Sequence, residues 1–546
     1  MKIALAQINS IIADFAGNTQ KILDAAVKAK KNNADLVVFP ELALGGYPPM
    51  DLLDQEKYSE ASRKHIRMIQ HEAPKDIGII IGYVKKSGSV SGKNLVNAAS
   101  LVYNNQILFT QEKTLLPTYD VFDEARYFQP AAGRSIIEFK GMKIGIAICE
   151  DVWWEQEQHG GERYPVDPVA DLLDCGANLL IVPSASPYFS GKPEIRRNLI
   201  EGITRSSGVP VVYVNMVGGN DSLIFDGQSM FISGDGTCSA IGKAFQEDLF
   251  CIDTEKNSQP GKFEFEKYHE IEQALVLGIR DYMNKCGFSK VHLGLSGGID
   301  SALVATLATM AMGPEHVVCF AMPSRYSSKG SVDDADELAK RLGITLHTVS
   351  IESVFPGMLH ALEPVFKDKK EDVTEENIQA RIRGVILMAY ANKFQSVLLN
   401  TGNKSELATG YCTLYGDMCG SLAVIGDLYK TEVYELCRDI NRRYNYIPET
   451  IITKLPSAEL KPDQTDQDTL PPYEVLDTIL DNYLLKNLSF EEICRQHQDP
   501  EMVKKVIQMI GLAEYKRRQA PPVLKVSQKA FGTGRRIPIA RRFFEI

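Results

Sequence analysis

The sequence predicts two α/β units in tandem, the second built on a doubly wound parallel sheet. Three observations carry this. Short apolar runs recur along the 546 residues and alternate with amphipathic stretches. One polar stretch, DTEKNSQPGKFEFEK (253–267), carries Pro260-Gly261 and interrupts the alternation as an exposed connection does. After it the pattern restarts as a regular succession of helix and strand. The expected organisation is a first domain over 1–255, a linker over 256–264 and a second domain over 265–546.

In the first half the apolar runs KIALAQIN, DLVVFPEL, GIIIGYV, NAASLVY, KIGIAICED, NLLIVPSAS and VPVVYVN read as buried strands. The stretch 18–34 between the first two is amphipathic, with Ile22, Leu23, Ala26 and Val27 on one helical face. In the second half a helix over 268–286 leads to strand 291–295, helix 302–312, strand 317–323, helix 332–343 and strand 344–351. A long helix over 376–394 and the strand SVLLN (396–400) follow. Residues 440–475 and 515–537, rich in Pro, Gly and charge, read as loops that could act as lids.

Lys and Arg number 60 against 70 Asp and Glu, a formal net charge of −10, with 44% hydrophobic residues. This is the composition of a globular protein. Non-specific nucleic-acid binding depends on clustered Lys and Arg, which the acidic balance disfavours, with GRRIPIARR near the C-terminus a local exception. No run reaches the ~20 apolar residues of a membrane helix, and the N-terminus lacks the basic-then-apolar layout of a leader. A cytoplasmic protein with neither membrane nor nucleic-acid partner is expected. Its ten cysteines are scattered without a CxxC pair, which suggests reduced thiols rather than a zinc ribbon or a disulfide framework.

The sharpest local signal is HLGLSGGIDSALVA. Strand 291–295 runs through Gly294 and Leu295 into Ser296-Gly297-Gly298-Ile299-Asp300-Ser301 and then into a helix. Two glycines let backbone N–H groups turn toward an anion, the helix N-terminus adds partial positive charge, and Ser296 and Ser301 supply hydroxyl donors. Asp300 beside a polyphosphate is repulsive unless a divalent cation lies between them, which marks it as a magnesium ligand. The loop lacks the Lys of the Walker motif and resembles that of the N-type ATP pyrophosphatases, which cleave ATP to AMP and pyrophosphate to adenylate a substrate.

Within that superfamily, ENIQARIRG (376–384), LLNTGNKSELATGYCTLYGDMCG (398–420), IGDLYKTEVYEL (425–436) and LPSAEL (455–460) resemble the NAD synthetases in order and spacing. The resemblance implies that Gly294 to Ser301, Thr401, Lys430 and Ser457 face ATP. It implies that Asn377, Arg381 and Glu406 face deamido-NAD, and that Glu406 joins Asp300 on magnesium. The tail KVSQKAFGTGRRIPIARR resembles a segment that closes over deamido-NAD, with Lys529 as its contact. The chain departs from the ammonia-only members at Leu414, where they carry Lys before Tyr-Gly-Asp.

In the first half Glu41, Lys113 and Cys149 each follow an apolar strand. Acyl transfer from an amide needs a soft nucleophile, a proton acceptor and donor, and a positive group for thiolate and oxyanion. Cys149 fits the nucleophile, Glu41 the base, and Lys113 the group that lowers the thiol pKa and stabilises charge. The motifs FPEL, EKTLLP and GIAICEDVW resemble the nitrilase superfamily, which implies a four-layer α-β-β-α sandwich. Comparison with glutamine-using members implies Tyr119, Glu150, Ser186 and Lys192 as glutamine contacts and Glu124 as a supporting acid.

Together the halves resemble glutamine-dependent NAD synthetases, with glutamine, ATP and deamido-NAD as substrates and a homo-oligomeric state implied. Two alternatives stand at this point. One is an ammonia-using synthetase with a non-catalytic N-terminal assembly module; the other is a glutamine-dependent amidotransferase adenylating another acceptor such as RNA. A stand-alone amidase leaves Asp300 unexplained.

Overall fold

A computed structural model describes residues 1–88, 91–155, 164–255, 265–367, 369–462, 464–497 and 499–542. The chain divides into two compact units, Met1–Phe265 and Glu266–Ile546. The expected linker, 256–264, lies outside the described residues.

The first unit holds two six-stranded sheets. One is ordered Asp248–Asp253, Lys2–Gln7, Leu36–Val38, Gly78–Lys86, Leu95–Tyr103, Gln106–Glu112; the other Cys238–Ile241, Met230–Ile232, Val211–Asn215, Leu179–Ser184, Met142–Ile146, Ile136–Phe139. Strand alternation sorts the core into layers. Ile3 and Leu5 join Leu36, Val38, Ile144, Ile146, Ile181 and Val212 in a core shared by both sheets. Ala4 and Ala6 turn outward to the helix Phe15–Lys31, whose Ile22, Ala26 and Ala29 are fully buried. Leu180 and Val182 of the second sheet pack with Leu172 and Ile200 of the helices Pro168–Asp174 and Lys192–Ser207. The four-layer α-β-β-α arrangement follows. Val27, expected on the buried face of its helix, is 41% exposed, because the buried stripe runs through Phe15, Thr19, Ile22, Ala26 and Ala29 instead.

The second unit carries a five-stranded, all-parallel sheet in the order Thr345–Thr348, Val317–Ala321, Val291–Gly294, Val397–Asn400, Leu422–Ala423. The chain builds outward from Val291–Gly294 in one direction and then returns to build in the other. The strand order therefore reverses at that strand, and a crevice opens beyond its carboxyl end. The expected loop over 440–475 is only partly loop. The helix Lys430–Tyr444 extends into it, Glu449–Thr453 forms a helix, and Tyr473–Leu484 begins within it. Ile440, Ile451 and Ile452 are buried, and tertiary packing outweighs the local Pro and charge content. Tyr473–Leu484, Phe490–Gln496 and Pro500–Leu512 form a helical cluster against Leu407 and Ala408. In 515–537 the short helix Glu514–Arg517 precedes a stretch without helix or strand.

Candidate active sites

Cys149 opens the short 3-10 helix Cys149–Val152, separated by Ala147 and Ile148 from the end of the strand Met142–Ile146, with its φ at +47°. A non-glycine residue stays in that region only when its surroundings over-determine it. Asp151 supplies the constraint: its carboxylate accepts from the N–H of Ile148 (2.9 Å), Thr114 (3.0 Å) and Leu115 (2.8 Å). One carboxylate thus ties the turn at Cys149 to the chain leaving Lys113.

Lys113 and Glu41 are each 1% exposed. The Lys113 ammonium donates to Glu41 Oε1 at 2.7 Å and to both oxygens of Glu124 at 2.8 Å. Glu41 also accepts from Asn97 Nδ2 (2.7 Å) and the Ala185 N–H (3.1 Å), and Tyr47 donates to Glu124 at 2.9 Å. Burial acts to lower the Lys113 pKa, but Glu124 and Glu41 outweigh it and hold the ammonium charged. Burial and then the Glu41 charge push the Cys149 thiol well above its usual range, while Lys113 acts the other way. Lys113 thus acts in the expected direction, and burial together with the Glu41 charge outweighs it.

Glu150 accepts from Tyr119 (3.0 Å) and Tyr164 (3.1 Å), and the Lys192 ammonium sits 3.7 Å from the centre of the Trp153 ring. Ser186 is held through its backbone, its N–H donating to Asn215 Oδ1 at 2.9 Å and its carbonyl accepting from Asn215 Nδ2 at 3.3 Å. Tyr119, Glu150, Ser186 and Lys192 lie in the same unit as Cys149. Tyr164 and Asn97 have no local pattern that sets them apart from ordinary loop and strand residues, and Asp151, visible in GIAICEDVW, gains its bracing role only from Thr114 and Leu115, which are distant in sequence.

In the second unit a cavity of about 320 Å³ opens at the sheet's reversal point. Gly294, Leu295, Ser296, Gly298, Ile299, Asp300, Ser301, Thr401, Glu406, Lys430 and Ser457 line it, so most of the expected ATP set converges. Gly297 shapes the loop instead of lining it. Its φ is +77°, and a Cβ there would lie 2.2 Å from the Ser331 carbonyl oxygen. Ser296 Oγ and Ser301 Oγ lie 3.1 Å apart, and the Gly298 N–H donates to Ser296 Oγ at 3.2 Å.

Asp300 forms an ion pair with Lys430 and accepts from Asn403 Nδ2 at 2.9 Å. Asn403 caps the helix Lys404–Thr409, accepting from the Glu406 N–H at 2.9 Å, and Glu406 Oε1 lies 3.9 Å from Lys430. Burial and then the Asp300 charge push the Glu406 carboxyl well above the usual range. Burial acts to lower Lys430, but Asp300 and Glu406 outweigh it and keep it charged. Among the described residues no three His, Cys, Asp or Glu side chains converge on a metal position. Two oxygen donors with excess negative charge suit magnesium, which keeps several waters and takes further ligands from phosphate.

Asn377, Arg381 and Lys529 do not line this cavity. Asn377 accepts from Thr413 Oγ1 at 2.7 Å, and Arg381 donates to the Leu414 carbonyl at 3.2 Å, so both brace the segment in which Leu414 lies. The Lys529 carbonyl accepts from Lys404 Nζ at 2.8 Å. The cavity adds Arg383, Tyr411, Lys454 and Asp466, which sequence reading passed over. Arg383 and Tyr411 stand inside the motifs 376–384 and 398–420, whereas Lys454 and Asp466 fall in the stretch 440–475 expected as loop.

A family profile described as carbon-nitrogen hydrolase matches residues 2–255, and one described as NAD synthase matches 271–520. The glutamine-dependent NAD(+) synthetase of Synechocystis sp. is 48% identical over 99% of each chain. That of Thermotoga maritima is 42% identical over 100% of this chain and 99% of its own. Among solved structures, the glutamine-dependent NAD+ synthetase from Acinetobacter baumannii, in complex with ADP, aligns with a TM-score of 0.78 at 39% identity over 98% of both chains. The one from Cytophaga hutchinsonii aligns with a TM-score of 0.85 at 23% identity over 99% of this chain and 97% of its own, a likeness of fold.

Proposed function

This chain belongs to the glutamine-dependent NAD(+) synthetases, ATP-dependent carbon–nitrogen ligases, and from that membership we propose how its own residues carry the reaction. Glu41 takes the proton of Cys149, the sulfur attacks the side-chain amide carbon of glutamine, and Lys113 stabilises the oxyanion. Glu41 returns the proton to departing ammonia, and water then releases glutamate from the thioester. Glu150, with Tyr119, faces the ammonium of glutamine; Lys192 and Ser186 complete the subsite.

In the second unit the loop 294–301, with Thr401, Lys430 and Ser457, holds ATP, while Asn377, Arg381, Glu406 and Lys529 face deamido-NAD. The nicotinate carboxylate attacks the α-phosphate, pyrophosphate leaves, and ammonia displaces AMP to give NAD. Asp300 and Glu406 would hold Mg2+, which when bound supplies neutralisation of phosphate charge. Lys430 offsets the charge that grows on departing pyrophosphate. The observation that carries this reading is the convergence of Asp300, Glu406 and Lys430 on one cavity below the phosphate loop, in a chain whose other unit holds the Glu41–Lys113–Cys149 set.

The protein acts on small molecules, and no described helix is long and apolar enough to cross a membrane. A cytoplasmic location fits ten cysteines without a disulfide among the described residues and the use of ATP. A homo-oligomer is supported by exposed Val354, Met358, Val365, Val373, Val385, Met388 and Phe394 on or beside two neighbouring helices, Phe355–Phe366 and Val373–Phe394.

The test supplies ATP, magnesium and deamido-NAD with either amide-15N glutamine or ammonium and follows AMP, pyrophosphate and labelled NAD. Labelled NAD from glutamine with stoichiometric AMP is expected. NAD from ammonium alone would remove the glutaminase role, and absence of AMP under both conditions would remove the acceptor.

A further inference from the structure

Lys404 lies between two residues of the proposed metal and nucleotide site, Asn403, which holds Asp300, and Glu406 two positions on. Its own side chain points elsewhere. Lys404 is 2% exposed, and Nζ donates to Asp427 Oδ1 (2.8 Å), Ser527 Oγ (2.7 Å) and the Lys529 carbonyl (2.8 Å), so its three protons are matched by three acceptors. Asp427, 1% exposed, accepts the N–H groups of Val526 (2.8 Å) and Ser527 (2.6 Å) through its other oxygen. Lys525 adds a clamp, donating to the carbonyls of Ser527 (2.8 Å) and Gln528 (2.6 Å). Burial acts to raise the Asp427 carboxyl, but Lys404 and then Lys525 outweigh it and hold it below its usual value.

Leu524 is still bonded through its N–H to the Ala423 carbonyl (3.2 Å), but residues 525–529 form neither helix nor strand, so these side-chain bonds set where that backbone runs. A buried ion pair is a poor device for stability, since apolar residues of the same volume do as well, but it fixes register where packing alone would not. We propose that Lys404 and Asp427 are positioning residues for the pyridine dinucleotide. They seat the C-terminal segment on the helix that carries Glu406, so that the two sides of the dinucleotide site are held in one register. The inference rests on the reading that this segment faces deamido-NAD.

The test uses the full-length enzyme with ammonium as nitrogen donor, which leaves the glutaminase out. The paired variant Lys404→Met with Asp427→Leu removes both charges together, so neither is stranded. Its KM for deamido-NAD is expected to rise about 10- to 100-fold, the worth of one or two charge-assisted hydrogen bonds. The KM for ATP should stay within about twofold, since no contact to the phosphate loop is lost. Hydrogen exchange at the Val526 and Ser527 amides should accelerate by a similar factor. Lys404→Arg, which keeps the charge, should restore part of both.

Equal rises in both KM values, or unchanged exchange at 526 and 527, would overturn the proposal, as would lost protection with an unmoved KM. Lys529→Ala separates the two readings. If it leaves the deamido-NAD KM unchanged while the paired variant raises it, the latch stands and the Lys529 contact falls.

Discussion

Lys113 faces two carboxylates with one ammonium, and that imbalance sets the titration of the first site. Burial, with the Glu41 charge added, outweighs Lys113 and raises the Glu124 carboxyl from 4.5 to about 7. An acid whose folded pKa lies above its unfolded value binds its proton more tightly when folded. Its contribution to stability is therefore full below about 4.5 and lost as pH rises through about 7. Asp151, lifted by burial from 3.8 to about 6, acts with the same sign. The unfolding transition of the first unit should move to lower temperature between about pH 5 and about pH 7.5, and Glu124→Gln should remove part of that movement. Scanning calorimetry across that range checks it, and an unaltered pH dependence in the variant would count against the assignment. Cys149, Glu41 and Lys113 were legible as candidates because each stands just beyond a strand end within the motifs FPEL, EKTLLP and GIAICEDVW. The sign of the Cys149 shift was not, because it depends on how much burial and how many carboxylates the fold gathers around the sulfur.

At the scale of elements, the passage from strand Val291–Gly294 to helix Ile299–Met312 depends on Gly297. Its positive φ and the 2.2 Å approach of a Cβ to the Ser331 carbonyl leave no room for a side chain. Gly297→Ala is expected to lower AMP formation by roughly 100-fold through a displaced anion cradle. Glutamine hydrolysis at the other unit should be retained. Parallel assays of AMP and glutamate release check this, and a variant with full AMP formation would remove the loop from the mechanism. Strand, glycine turn and helix were readable because apolar run, flexible turn and helix periodicity stand consecutively. The short strands over 217–253 and the helices over 473–517 were not, since short strands gain their stability from partners distant in sequence. The helical cluster is likewise stabilised by packing of Leu476, Ile479, Val506 and Ile507.

For the whole molecule, two sites in separate compact units make separable losses the natural test. Cys149→Ala should reduce glutamine-driven NAD formation about a thousandfold or more and leave ammonium-driven formation near the parent level. Survival of the glutamine-driven reaction would retire Cys149 as nucleophile. The apolar residues left exposed along Val373–Phe394 give the second expectation at this scale. Val385, 69% exposed, becomes costly to bury once charged, so Val385→Asp should shift the enzyme to a smaller species in light scattering. An unshifted mass would place the subunit interface elsewhere.

The sequence by itself determined the α/β class of both units, the glycine loop and Cys149 as a candidate nucleophile beyond a strand end. Each of these is a local pattern, an apolar run followed by a residue whose backbone freedom or chemistry differs from its neighbours. Tertiary structure alone decided that Glu124 joins Lys113, that Asp151 braces two turns at once, and that Arg383 and Asp466 reach the cavity at the sheet's reversal point. It also decided that Lys404 turns away from the cavity to hold the C-terminal segment. These contacts join residues distant along the chain, and burial fixes both their partners and their charge states.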